Sequence, residues 1–396
     1  MVSDVIMTRK RSTRRELKRS DSKLTRRDAI SYLLGLGTAA IGLNIPFIQR
    51  AWLNQLNTTT LSPEQTAGEI TDAFELIEQA LDVGQTKIYL PAGNYSVSQR
   101  ISIANRTDVE IYGDGSASTI LRLGDNVRQT VLSLDTVDGV YIHDLQIDGN
   151  RFNQPYSPPT PHYLGAVPIS GIGAWNCSNI LIEDCFIHDC RVFGVTHSKC
   201  TDCKVLNNSI QNCDANGVNI DNASGGSRTV VRGNTIDGAS DVGITGSDAV
   251  DYTVENNLIR NILLDTSPFE QNTHIGLACE SAASGCKNCN YSNNTIENVT
   301  GGIWVENTVG LTAIGNLICG IASPINSHAI NIEATVSGAD IENNTITGIP
   351  AHMQWTIVQL SAPSGIFKNN VIYANGNLAI WPSNPPGWYL SGNQIN

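Results

Sequence analysis

The chain has 396 residues, with 25 Lys and Arg, 37 Asp and Glu, 35 Gly and 10 Cys, a composition that suits a large ordered core and excludes a disordered tail protein. Ten of the basic and four of the acidic side chains lie within residues 1–30, so the rest of the chain carries a formal charge of −18. Nucleic-acid binding requires a basic surface, and this charge balance argues against it. A neutral partner, or one bridged by cations, fits better.

Residues 1–50 have the pattern of an export signal. A basic stretch is followed by an uncharged stretch from Ser31 to Ile48 that is rich in Leu, Gly, Ala and Ile. The pair Arg26-Arg27 at the junction resembles a twin-arginine signal, whose machinery exports folded proteins. An uncleaved membrane anchor and a basic cytoplasmic tail are the alternatives, because about 18 apolar residues nearly span a bilayer. We expect an exported protein, extracellular or held at the cell surface, that meets the membrane only through this segment.

From residue 180 onward a short unit recurs, consisting of an alternating apolar strand, an Asn, and an Ile two residues later. Successive Asn residues are 22 to 37 positions apart, which is the spacing of a solenoid. The strands are short, turn residues bound them and no helical periodicity separates them, so each repeat is predicted to be one all-β coil. In stacked coils these Asn residues should form one column at a bend, where they tolerate left-handed backbone and bond to one another. They are Asn208, Asn234, Asn257, Asn294, Asn316, Asn344, Asn370 and Asn393.

The start of the repeat region adds a family resemblance. Residues 73–80 have the pattern of a short amphipathic helix, followed by Lys87-Ile-Tyr-Leu-Pro-Ala-Gly-Asn-Tyr95 and Val109-Glu-Ile-Tyr-Gly-Asp-Gly115. With the repeats, these segments resemble the N-terminal cap and first coils of the pectate-lyase-like right-handed β-helix superfamily. The resemblance implies a right-handed parallel β-helix of about ten coils over residues 66–396, behind a linker at 51–65. Because that superfamily includes hydrolases, lyases, epimerases, phage depolymerases and inactive scaffolds, it leaves the reaction open.

A second strand in each coil, usually opened by Gly, is predicted to carry the functional face. By two-residue alternation, Val218 and Ile220 face the lumen while Asn219 and Asp221 face outward. The same alternation in the other coils places Trp, carboxylate and amide side chains on the outer surface. Such a surface suits sugar rings, because they stack on indoles and form hydrogen bonds with polar groups. The candidate substrate-binding residues are Trp175, His197, Asn219, His274, Trp304 and Asn331, and the candidate catalytic residues are Asp221, Asp241, Glu306 and Glu333.

Glu306 and Glu333 are the leading catalytic pair. They occupy the same outward position in consecutive coils, so their carboxyls should lie about one strand spacing, or about 5 Å, apart. Retaining glycosidases use a separation of about 5–5.5 Å, and Trp304 is placed on the same strand to stack a sugar. The alternatives are a calcium ion between the two carboxylates, or two solvated glutamates. Asp221 and Asp241, between two long inserted loops, are the second choice.

Three family templates match this face only in part. Polygalacturonase-like motifs fall on Asp214-Ala215-Asn216, Asp241-Val242 and Thr273-His274, and the alginate epimerase-like motif falls on residues 193–198. The basic residues nearest to the role of a lyase base are Arg191, Arg228 and Arg260.

Because the face offers carboxyls and few bases, we expect a glycoside hydrolase with a polysaccharide substrate. A polysaccharide lyase or epimerase, and a non-catalytic β-helix that binds glycan or protein, remain open. No cofactor and no metal is expected, with calcium as the alternative.

Cysteine spacing makes a further prediction about the coils. Cys177 and Cys200 are 23 residues apart, as are Cys190 and Cys213. Each pair should therefore lie side by side in adjacent coils, either as a disulfide or as free thiols. The sequences Cys200-x-x-Cys203 and Cys286-x-x-Cys289 also have zinc-ligand spacing, but they are several coils apart.

Overall fold

The computed structural model of the protein describes residues 58–60, 71–154, 163–164, 167–168, 170–222, 225–263, 273–280, 284–323, 327–383 and 385–396. The export signal predicted over residues 1–50 lies outside the described residues. Thr58–Thr60 pairs in parallel with Lys87–Tyr89, so part of the predicted linker joins a sheet. None of the described helices is long and apolar enough to cross a membrane.

Three long parallel sheets, named here A, B and C, form the described part of the chain. Sheet A contains strands Thr58–Thr60, Lys87–Leu90, Thr107–Gly113, Asp138–His143, Ser178–Glu183, Lys204–Leu206, Val230–Arg232, Val250–Glu255, Cys286–Ser292, Thr308–Ile314, Ser337–Glu342, Gly365–Lys368 and Trp388–Ser391. Sheet B contains Thr71–Asp72, Gly93–Val97, Thr119–Leu123, Gln146–Asp148, Phe186–His188, Ser209–Cys213, Thr235–Ala239, Leu258–Ile262, Thr295–Val299, Leu317–Ile321, Thr345–Thr347, Val371–Ile372 and Gln394–Ile395. Sheet C contains Ile101–Ala104, Leu132–Asp135, Ser170–Trp175, Phe193–Ser198, Val218–Asp221, Val242–Ser247, Ile275–Glu280, Gly301–Val305, Ile330–Ile332, Val358–Leu360 and Ile380–Trp381.

The chain passes through sheets A, B and C in turn and then begins the next coil, which gives an all-β solenoid of about 11 turns. The prediction of a parallel β-helix of about ten coils is confirmed. Strands alternate as predicted, so that Ile, Val and Leu side chains point inward and form one continuous core along the lumen. A two-stranded antiparallel pair, Tyr163–Leu164 with Val167–Pro168, lies outside these three sheets.

The first coils are capped by helix α1, Ala73–Asp82. Asp72 begins it by accepting a hydrogen bond from the backbone N–H of Phe74 at 3.0 Å, which satisfies one of the free N–H groups at the helix start. Its buried face, which includes Ile77 and Leu81, joins the lumen core. The predicted capping helix is therefore confirmed, and a single 3-10 turn at Arg151–Asn153 is the other helical segment among the described residues.

The Asn column is also confirmed and runs along the bend between sheets A and B. At each rung the side-chain amide of one Asn donates to Oδ1 of the next, at 3.0–3.1 Å from Asn208 to Asn393. The prediction that the column Asn residues themselves have left-handed backbone is wrong. Positive φ occurs one position earlier, at Asn or Gly residues such as Asn293 (54°) and Gly315 (68°), because the turn lies just before the Asn whose side chain points into the wall.

The glycines that open the strands of sheet C are required by close packing. An added Cβ at Gly194 would lie 2.5 Å from Cγ2 of Ile210 and 2.7 Å from the carbonyl oxygen of Gly217 in the next coil. Gly171 and Gly243 meet the same two kinds of obstacle, an Ile methyl group of sheet B and a neighbouring backbone oxygen. This packing fixes the position of sheet C, and therefore of every side chain on its outer face.

The predicted cysteine neighbours lie side by side. The backbone N–H of Cys177 donates to Sγ of Cys200 at 3.4 Å. The carbonyl oxygen of Cys190 accepts from the backbone N–H of Asp214, the residue after Cys213, at 3.1 Å. All ten cysteines are free thiols, and nine of them are buried. Each of these four thiols donates a hydrogen bond to a backbone carbonyl oxygen of the wall. The two pairs therefore follow the free-thiol alternative of the prediction.

Candidate active site

The outer face of sheet C carries a row of acidic side chains at equivalent positions of successive coils. Asp221 aligns with Ser247, and Ser247 aligns with Glu280. Glu306 and Glu333 come directly after Val305 and Ile332, which align with each other, so the row continues through both. The backbones of Glu280, Glu306 and Glu333 are each one strand spacing, about 4.8 Å, apart, whereas Ser247 lies between Asp221 and Glu280. The predicted register of Glu306 and Glu333 is confirmed.

Glu280 is the member of the row whose protonation is changed most clearly by its surroundings. Burial, together with the negative charges of Asp241 and Glu306, raises the pKa of Glu280 from its ordinary value of 4.5 to about 7. A carboxyl that retains its proton near neutral pH can donate it, and a neighbouring ionised carboxylate can act as a nucleophile or base. Glu280 and Glu306 therefore have complementary chemistry in adjacent coils.

Trp304 and Glu306 hold each other in place. The indole packs against Val242, Ile275 and Ala278, a small apolar cluster on this face. Its Nε1–H donates to Oε1 of Glu306 at 2.8 Å. A hydrogen bond to a carboxyl oxygen restricts the rotamer of the side chain. Glu306 is thus held in a fixed orientation beside Glu280.

A cavity of about 790 Å³ opens at the C-terminal end of the same face. Glu333 belongs both to the acidic row and to the cavity lining, and Trp304, which also lines the cavity, is hydrogen-bonded to Glu306 of the row, so the two features are continuous. Trp355 and Trp381 also line the cavity and leave 39% and 50% of their surface exposed, so part of each ring is accessible for stacking. The volume lies within the usual range of about 300–1,000 Å³ for small-molecule sites.

His328 and Asn331 are two of the polar residues that line this cavity, together with Glu333, His352, Gln354, Thr356, Gln359 and Asn377. Nδ1 of His328 lies 2.6 Å from the carbonyl oxygen of Thr356, and its ring stacks on Trp355 with centroids 5.0 Å apart. Burial lowers the pKa of His328, so the imidazole is neutral at neutral pH. Asn331 is 1% exposed and donates from Nδ2 to Oε1 of Glu333 at 2.8 Å.

The structure brings Trp304, Asn331, Glu306 and Glu333 together, and it places the other predicted residues in different surroundings. His197 is completely buried in the lumen, aligned with Ala174 and Ile220. Burial lowers its pKa to about 4, and neither ring nitrogen has a hydrogen-bond partner among the described residues. It cannot contact a ligand on the outer face, so its assignment as a substrate-binding residue is corrected. The alternation that places Thr196 outward already places His197 inward.

Asn219, Asp221 and Trp175 lie farther toward the N-terminus of the same sheet. Asn219 is buried and donates from Nδ2 to Oγ1 of Thr196 at 3.1 Å, within a polar ladder of the wall. Asp221 follows two residues later in the acidic row, and Trp175 aligns with Asp135 at its N-terminal end. These three residues line the extension of the face away from the cavity.

Asp241 and His274 lie at the turns that lead into sheet C. Oδ1 of Asp241 accepts from the hydroxyl of Thr273 at 2.7 Å and from its backbone N–H at 3.1 Å. The carbonyl oxygen of His274 accepts from Thr300 and Gly301, so its backbone is part of the wall. Asp241 affects the acidic row through its charge on Glu280.

The three basic residues considered for a lyase reaction are all engaged in ion pairs. Arg191 binds the buried Asp214 at 2.6 Å, Arg228 binds Asp202 at 2.6 Å, and Arg260 binds Asp237 at 2.9 Å. The strands of sheet C contain no Lys or Arg among the described residues.

Two groups of described residues bring three metal-ligating atoms within 4.8 Å of one another, and neither belongs to the acidic row. Cys279, Cys286 and Cys289 point into the lumen, where each thiol is no more than 1% exposed. Asp148, His188 and Asp189 form the other group, in which Asp148 binds Arg122 at 3.0 Å and His188 binds Asp189 at 2.7 Å. Calcium between Glu306 and Glu333 remains a prediction.

Glu280, His328, Trp355 and Trp381 were not identified from the sequence. Glu280 ends the strand Ile275–Glu280, and extending the alternation two residues beyond Ala278 would have placed it outward. His328 and Trp355 lie outside the strands, where no periodicity indicates direction. Trp381 ends the short last strand of sheet C.

Comparisons with known proteins agree on the architecture. A family model described as "Right handed beta helix region" matches residues 98–259 and 222–318, which together span more than half of the chain. By sequence, no curated protein matches.

Solved structures with similar folds include the A-module of the mannuronan C-5 epimerase AlgE6 of Azotobacter vinelandii (16% identity, TM-score 0.51, covering 83% of this chain and 96% of that one). Others are PfbA, a surface adhesin of Streptococcus pneumoniae (12%, 0.57, 78% and 83%), and the catalytic domain of a GH87 α-1,3-glucanase in complex with nigerose (16%, 0.53, 85% and 68%). At these identities the likeness concerns the fold.

Proposed function

The chain belongs to the right-handed β-helix family, and we propose that it is a glycoside hydrolase that cleaves a polysaccharide on the outer face of sheet C. The observation that carries this proposal is the pair Glu280 and Glu306, adjacent carboxyls of which one has a pKa raised to about 7 and the other accepts a hydrogen bond from Trp304. Paired carboxyls in different protonation states are what glycoside hydrolysis requires.

The proposed reaction has two steps. Glu280 donates its proton to the glycosidic oxygen as the bond from that oxygen to the anomeric carbon breaks, and the carboxylate of Glu306 bonds to the anomeric carbon. Water then attacks the same carbon and loses a proton to the ionised Glu280, releasing Glu306 and the free sugar. Because one strand spacing is close to the separation used by retaining enzymes, the anomeric configuration should be retained.

Hydrolysis is favoured over lyase chemistry by the residues available on this face. A lyase must remove a proton from carbon and normally uses a basic side chain, yet Arg191, Arg228 and Arg260 are held by acidic partners. Carboxyls at the positions of Glu280, Glu306 and Glu333 supply an acid and a nucleophile instead.

A panel of polysaccharides distinguishes the reaction classes. The purified protein should release new reducing ends from at least one chain, without the ultraviolet absorbance of an unsaturated sugar. Glu280→Gln and Glu306→Gln should each slow the release by at least about 100-fold, while Glu75→Gln, an exposed change on α1, should leave it intact. Unsaturated products would indicate a lyase, inverted uronates an epimerase, and binding without any product a non-catalytic module; each of these results contradicts the proposal.

We also propose that residues 1–50 export the protein by the twin-arginine route, which leaves it extracellular or attached to the cell surface. The support is the basic stretch, the Arg26-Arg27 pair and the apolar stretch that follows. Replacing both arginines by lysine should leave the protein inside the cell, as measured by fractionation. Unchanged export of that variant would contradict this route.

A further inference from the structure

The cavity at the C-terminal end of sheet C contains one unsatisfied polar atom. Oδ1 of Asn331 has no hydrogen-bond partner among the described residues, although the side chain is 1% exposed and lines the cavity. A buried acceptor without a partner destabilises the site until a donor reaches it. Nδ2 of the same side chain is fixed by Glu333, so the amide cannot rotate to remove the mismatch. Oδ1 is therefore poised to accept a hydrogen bond from a ligand.

The aromatic lining indicates what kind of ligand this would be. Trp304, Trp355 and Trp381 line one cavity, and the last two expose large parts of their rings. Rings combined with a few polar groups suit a sugar, which presents C–H surfaces for stacking and hydroxyls for hydrogen bonds. A hydroxyl group supplies the donor that Oδ1 of Asn331 lacks.

The charges of the lining indicate an uncharged sugar. Glu333 is the acidic residue of the cavity, and His328 is neutral because burial lowers its pKa. His352 is the other imidazole of the lining, and no Lys or Arg is found among the described residues that line the cavity. The strands of sheet C also contain no Lys or Arg among the described residues, and Glu306 lies beside them. A uronate would meet the carboxylates of Glu306 and Glu333 without a compensating Lys or Arg, and like charges brought together cost binding energy.

We propose that this cavity is a subsite for an uncharged sugar residue of the polysaccharide, with a sugar hydroxyl donating to Asn331 and the ring stacked on Trp355 or Trp381. The proposal rests on the proposed function in that it names the substrate class of the same face. The substrate is accordingly a neutral chain such as a glucan, xylan or mannan, and polyuronates are excluded.

Equilibrium binding to the full chain tests the subsite separately from catalysis. Hexasaccharides of glucan, xylan and mannan, and hexamers of galacturonate and mannuronate, are titrated by calorimetry into the Glu280→Gln variant, which cannot cleave them in the proposed mechanism. At least one neutral hexasaccharide should bind, and the uronates should bind at least tenfold more weakly. Trp355→Ala should weaken neutral binding about tenfold, and Asn331→Leu about threefold to tenfold. Tyr389→Ala, an exposed aromatic of sheet A, is the matched control and should have no effect.

Three outcomes would overturn the subsite: no binding of any neutral hexasaccharide, uronate binding that is equal or that appears with Ca²⁺, or neutral binding unaffected by both Trp355→Ala and Trp381→Ala. Because Asn331 is buried, its variant is also checked by thermal unfolding. Trp381→Ala, at a half-exposed position, supplies a second test of the lining that does not depend on a buried site. If the wild-type protein binds a neutral hexasaccharide but does not cleave it, the proposed hydrolysis is contradicted while the proposed subsite is supported.

Discussion

Replacing Glu280 by Gln should stabilise the protein at high pH while removing its activity. The fold raises the pKa of this carboxyl from 4.5 to about 7, so the folded state favours its protonated form. As pH rises from 4.5 to 7, the unfolded chain loses this proton while the folded chain retains it, and the free energy of unfolding falls. Each pKa unit corresponds to about 1.36 kcal/mol, so the loss reaches about 3 kcal/mol at pH 8. Gln is nearly isosteric and stays neutral, so the variant lacks this loss.

Urea-induced unfolding at pH 4 and pH 8 measures the effect. Glu280→Gln should match the wild type within about 1 kcal/mol at pH 4 and exceed it by about 3 kcal/mol at pH 8. Glu306→Gln removes one of the charges that raise the pKa of Glu280. In that variant, the fall in the free energy of unfolding with rising pH should therefore be smaller and should end at a lower pH than in the wild type. Glu75→Gln, exposed on α1, should change the free energy of unfolding by less than about 0.5 kcal/mol at both pH values. A difference between Glu280→Gln and wild type that is independent of pH would refute the reasoning.

Two further predictions concern the scaffold. Gly194→Ala forces a Cβ against Ile210 and should lower the free energy of unfolding by about 1–3 kcal/mol. Gly173→Ala, whose Cβ would have its nearest contact at 3.4 Å, should change that free energy little. Equal effects of the two substitutions would show that close packing does not require Gly194. Asn294→Ala removes four hydrogen bonds of a buried interior rung and should lower the free energy of unfolding by about 4 kcal/mol. Asn393→Ala removes three at the last rung, where partial exposure lets water replace them, and should lower it by about 1–2 kcal/mol. An interior rung no more sensitive than the last one would show that the ladder does not stabilise the wall.

Periodic features of the fold were predictable because each coil repeats the same physical requirement. The Asn column, the inward Ile and Val residues and the register of Glu306 with Glu333 all follow from one strand spacing and two-residue alternation. Positive φ one residue before each ladder Asn was missed, because the spacing alone does not show which of two adjacent turn residues is left-handed.

The site was predictable only where it lies on strands. Trp304, Asn331 and the two glutamates were found by alternation, whereas Trp355 lies in an irregular segment whose side-chain directions depend on the coils around it. The importance of Glu280 comes from burial and from the charges of Asp241 and Glu306, which are properties of the assembled face.

The pH dependence of hydrolysis in wild type and Glu280→Gln tests whether Glu280 is the proton donor. A proton donor must be protonated, so kcat/KM on a cleaved polysaccharide should fall as pH rises through about 7. Glu280→Gln should lower kcat/KM by about 10²–10⁴-fold. The remaining kcat/KM of this variant should not fall as pH rises through about 7. A variant with wild-type kcat/KM and an unchanged pH profile would show that Glu280 does not donate the proton and would contradict the assignment of the active site.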